Sequence, residues 1–84
     1  HGRKENYFFN IRIMKIALFL ILCSGVAESC LEPHKFNVYD SFYDCMSAGY
    51  QESFNKNSQI GPEEVNEYKM YIKFICTPEE AIKI

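Results

Sequence analysis

The chain has 84 residues, with 9 Lys+Arg against 11 Asp+Glu, a formal net charge of −2, 48% hydrophobic and 15% aromatic residues and no tryptophan. So short a chain holds one small domain at most, with a thin core, and its many hydrophobics beside few glycines and prolines exclude a collagen-like or broadly disordered protein. The weak negative charge argues against nucleic-acid binding, which needs a basic face, and four cysteines in so few residues point to an oxidising compartment.

In chain order, the first methionine is Met14, so residues 1–13 read as an upstream or vector-derived extension. Met14 and Lys15 lead into an apolar run from Ile16 to Cys23, followed by Ser24, Gly25, Val26 and Ala27. A charged start, a short apolar stretch and a small-residue end are the layout of a secretory signal peptide. Gly25 with Ala27 suits cleavage before Glu28, and Ala27 with Ser29 suits cleavage before Cys30. The expected organisation is a signal-peptide helix over 14–29 and a small mature domain over 30–84. A spanning helix needs about 20 apolar residues, and extending this run backward would bury Arg12 and Lys15. The chain is therefore expected to be secreted or periplasmic and to touch the membrane only through its signal segment; anchoring by an uncleaved signal is the alternative.

Setting the leader aside changes the sums. Residues 28–84 hold five lysines, ten acidic residues and no arginine, a net of −5. They also hold three cysteines, Cys30, Cys45 and Cys76, and an odd count leaves one thiol over. Cys45 and Cys76 lie in strongly patterned segments and are the expected disulfide, stabilising the fold by roughly 3 to 4 kcal/mol in the chain-entropy model. Cys30 is then unpaired or intermolecular, unless it pairs with one of the other two. Ala27, Glu28, Ser29 and Cys30 also distantly resemble the lipobox of bacterial lipoproteins, a resemblance that implies a lipidated Cys30 and a membrane anchor.

From Cys30 to Lys35 there is no periodicity, and the segment reads as an arm. Phe36 to Tyr39 alternates and predicts a short strand. Asp40 or Ser41 can cap a helix, with Asp44 three residues after Ser41 in capping-box position. A long helix follows, with Phe42, Cys45, Met46, Gly49, Tyr50, Ser53 and Phe54 on its inward stripe. Gly49 in that stripe predicts close approach of another backbone, with simple tolerance of a glycine as the alternative. The helix should end before Gly61, and Pro62, Glu63 and Glu64 start a short second helix. Met70 to Cys76 fits a helix or a strand, and its β-branched and aromatic content favours the strand. Thr77 and Pro78 then open a terminal helical turn through Ala81 and Ile82. The fold class is a small disulfide-stapled α+β domain ordered strand, long helix, short helix, strand and terminal helical turn, its two strands parallel through a right-handed crossover. An all-α helical hairpin is the alternative.

No spacing in the chain supports a zinc, haem, nucleotide or calcium site, so no cofactor or metal is expected. His34 is the only histidine after the leader, and a Cys-His pair with Cys30 would sit on the arm, so no catalytic residue is assigned. The aromatics exceed what so thin a core can cover. Tyr39, Tyr43, Tyr50, Tyr68 and Tyr71 are the candidate interaction face. These features describe a small secreted non-enzymatic protein that binds a macromolecule, either a protein partner or a second copy of itself. A secreted toxin-like or effector peptide acting at a membrane target is the alternative.

Overall fold

The computed structural model describes residues 15–79. Its first element is β1, Ile16–Ser24, nine residues without a charge. β2 is the two-residue strand Ser29–Cys30, and β3 spans His34–Tyr39. The long helix α1 runs Phe42–Ile60, the short helix α2 Pro62–Tyr68, and β4 closes the order at Met70–Pro78. All pairing is antiparallel and all of it is to β1: β4 lies along one edge, while β3 and β2 share the other. The protein is thus small and α+β, with a four-stranded sheet and two helices.

Several expectations need correction. Residues 16–24 form no signal-peptide helix; they are the central strand. A strand flanked on both edges can bond its backbone groups across to its neighbours, and β1 does so from Ile16 opposite Pro78 to Ser24 opposite Met70. β3 and β4 do run parallel, since each is antiparallel to β1, but β1 lies between them and they do not pair. The arm is shorter than expected, because His34 and Lys35 already belong to β3 opposite Leu20 and Phe19. Thr77 and Pro78 continue β4 instead of capping a helix. Residues 80–84, with Ala81 and Ile82, and the extension over 1–13 lie outside the described residues.

The helical boundaries follow local chemistry. Ser41 is extended, at φ −142° and ψ 158°, and its hydroxyl accepts the Asp44 N–H at 3.0 Å, satisfying one of the first-turn donors. Gly61 ends α1 at φ 92°, where a side chain would be strained, and donates its N–H to the Asn57 carbonyl at 3.1 Å. Pro62 then starts α2 with Glu63 and Glu64 in the first turn.

The core sits between α1 and one face of the sheet. Leu18, Leu20 and Cys45 are buried there, packed by Ile16, Tyr39, Ala48, Ile72, Phe74 and Cys76. Two disulfides close the fold. Cys45 bonds Cys76, tying α1 to β4, and Cys23 bonds Cys30 across the β1–β2 pair. Cys30 is therefore neither unpaired nor intermolecular, and its thiol is not free for acylation. The even count of four is restored by Cys23, which the leader reading had set aside. The turn between β1 and β2 is also held: Gly25 N–H donates to the Lys69 carbonyl at 2.8 Å, and the Ser24 hydroxyl donates to the Tyr68 carbonyl at 2.8 Å.

Candidate interaction surface

The five tyrosines do not share one face. Tyr39 is half-buried beside Ile16 in the core. Tyr68 ends α2, and Tyr71 lies on β4 opposite Cys23. Cys23 and Tyr71 are on the sheet face turned away from α1, because side chains alternate along each strand and their neighbours Leu22 and Ile72 face the other way. Tyr43 and Tyr50 do come together, on the outer side of α1, and are joined by Phe54. Seven and four residues apart, these three fall within about 40° of one another around the helix. They are 77%, 66% and 65% exposed respectively.

Phe54, Tyr50 and Phe42 were expected on the inward stripe. The structure turns that stripe toward Cys45, Ala48 and Gly49 instead, and leaves Phe42 exposed as well. Small residues at three- and four-residue spacing let a helix approach its neighbour closely. At Gly49 the approach is that of the Phe74 ring, not of a backbone: a Cβ there would overlap its Cδ1 and Cε1. The disulfide from Cys45 to Cys76 fixes the same rotation. The clue present in the sequence was the run of small residues.

Beside this aromatic ridge lies β4. Among the described residues it pairs with β1 alone, so along its nine residues every second one turns an unpaired backbone N–H and C=O outward. Lys73 is its only charged residue. Phe74, on the α1 side, meets the Tyr50 ring edge-to-face, with centroids 5.0 Å apart and planes at 82°. Aromatic packing therefore runs from the core to solvent along the edge of the sheet. On the opposite face, Tyr71 and Ile75 are about half exposed. Lys35 and Glu79 bridge β3 to the end of β4 across that face at 2.6 Å.

A cavity of about 310 Å³ opens at the other side of α1. It lies where the connection from Leu31 to Pro33 leaves the sheet between β2 and β3. Leu20, Leu22, Leu31, Ile60 and Ile72 form its apolar wall, while Glu32, His34 and Lys56 stand among the polar groups. No cysteine is free, so Cys30 cannot act as a nucleophile with His34. Among the described residues no group of three or more His, Cys, Asp or Glu could hold a metal ion, and no helix is long and apolar enough to cross a membrane.

Comparison with protein families, with characterised proteins and with solved structures finds no match to this chain. The two disulfides suggest an oxidising environment, extracellular or periplasmic.

Proposed function

We propose that this is a small exported, non-catalytic protein that self-associates by antiparallel pairing of β4 with β4 of a second copy. The observation that carries this reading is the free nine-residue edge of β4 beside the exposed ridge of Tyr43, Tyr50 and Phe54. Unpaired strand edges are templates for strand addition, in which main-chain bonds supply affinity and flanking side chains supply specificity. A pairing centred on Phe74 sets Lys73 opposite Ile75 of the other copy, so that like charges do not face each other directly. Tyrosine and phenylalanine on a rigid helix add contact area at low entropic cost. The reading keeps residues 16–27 in the working protein. Cleavage before Glu28 would remove the strand on which β3 and β4 both pair, together with the sulfur partner of Cys30.

Sedimentation equilibrium from about 5 to 500 µM tests this reading, a range bracketing the affinities of modest interfaces. The expected result is a monomer–dimer equilibrium that Tyr50→Ala and Ile75→Glu each shift toward monomer without loss of the folded circular dichroism spectrum. A strictly monomeric protein over the whole range would remove the reading, as would a dimer indifferent to both substitutions.

A further inference from the structure

We propose that the cavity beside the C-terminal half of α1 is a binding site for a medium-chain carboxylate, with the alkyl chain along the apolar wall and the headgroup at Lys56. The site takes only Ile72 from β4 and none of the residues of the aromatic ridge.

Size comes first. The cavity measures about 310 Å³, and an apolar cavity of about 150 Å³ is enough to bind benzene. Scaling from that pair gives a ligand of about a dozen non-hydrogen atoms, the size of decanoate. The volume also reaches the lower end of the range for small-molecule sites, about 300 Å³.

The wall comes second. Leu20, Leu22 and Ile72 project from adjoining strands, Leu22 pairing with Ile72, while Ile60 descends from the last turn of α1 and Leu31 from the connection. Leu31 N–H donates to the Leu22 carbonyl at 2.8 Å, so the backbone at this gap in the sheet edge is partly satisfied and the wall presents aliphatic carbon. Such a surface takes an extended alkyl chain better than a polar sugar or nucleotide.

Charge comes third and selects the headgroup. Lys56 is half-buried and, among the described residues, makes no ion pair or hydrogen bond. Glu32 in the same lining is exposed and keeps its water. A carboxylate at the mouth therefore gains a charge-assisted bond to a cation that folding has already partly desolvated. His34, exposed, also lines this cavity. The negative end of the α1 dipole opposes an anion at the Ile60 end of the site by about 0.3 to 1 kcal/mol before salt screening, about two- to fivefold in affinity, which favours the headgroup one turn back at Lys56.

Calorimetric titration of the full, disulfide-intact chain with sodium decanoate, 1-decanol and decyltrimethylammonium, each as monomer, tests the site. Decanoate should bind one to one and about tenfold tighter than decanol, the increment of one charge-assisted contact. Lys56→Met should bring decanoate down to the decanol level and leave decanol unchanged. Ile60→Trp, which fills the wall, should abolish binding of both; if it fails to fold, the Lys56→Met arm carries the test alone. Absence of saturable decanoate binding would overturn the proposal. So would tightest binding by decyltrimethylammonium, which would place the headgroup at Glu32, or a decanoate preference that survives Lys56→Met.

Discussion

β1 and β4 are both nine residues long and pair with each other along their whole length, yet they occupy opposite situations. From Met70 to Cys76, β4 alternates between half-buried and exposed positions, as expected of an antiparallel strand with one face toward a helix. β1 does not alternate: Ala17, Leu18, Leu20, Ile21 and Cys23 are all buried, on both faces. A central strand flanked on both edges loses exposure from its neighbours' side chains as well as from the helix above. Its sequence is then a continuous apolar run, and composition alone does not separate such a run from the apolar stretch of an export signal.

Substitutions on the two strands should have very different costs. The largest effect is expected at Leu18, fully buried on β1, where Leu18→Ala should cost about 3 to 5 kcal/mol and leave so small a protein barely folded. On β4, Ile75→Ala at a half-exposed site should cost no more than about 1 kcal/mol. Urea denaturation of the two variants measures the difference directly, and equal losses would mean that β1 is not the core strand.

The disulfides should rank in the same experiment. Losing Cys45–Cys76, with 31 residues of separation, should cost about 3.7 kcal/mol in the chain-entropy model, against about 2.4 kcal/mol for Cys23–Cys30, whose separation is 7. Paired serine variants at each bridge check the order.

A smaller loss is expected from Gly49→Ala. Alanine normally stabilises a helix by about 1 kcal/mol relative to glycine, but here the methyl would meet the Phe74 ring. Overpacking of this kind costs about 1 to 3 kcal/mol, so a net destabilisation is predicted. A thermal melt showing a gain would place Phe74 away from α1.

Elements carried by local chemistry were legible in the sequence. Ser41 with Asp44 marked the start of α1, Gly61 with Pro62 marked its end and the start of α2, and the β-branched and aromatic content of Met70 to Cys76 decided for β4 where spacing alone fitted a helix as well. Long-range facts were not. The rotation of α1 depends on which residues are small enough to sit over Phe74, and ranking residues by hydrophobicity put Tyr50 and Phe54 on the wrong side. The β4 extension through Pro78 depends on Ile16 standing opposite it, so a capping signature at Thr77 was outweighed by strand pairing. Cys30 looked solitary only because Cys23 had been assigned to a segment expected to leave. The cavity left no trace in sequence pattern, since its wall is drawn from β1, β4, α1 and a connection far apart in the chain.

Ile16–Ser24 is the middle strand of the folded protein. Intact mass and non-reducing peptide mapping of the protein recovered from an oxidising compartment test it most directly. Retention of β1 predicts a chain that still contains Ile16–Ala27, with one linked peptide pair joining Cys23 to Cys30 and another joining Cys45 to Cys76. A chain beginning at Glu28 or Cys30, with Cys30 free, lipidated or bonded to another chain, would contradict it.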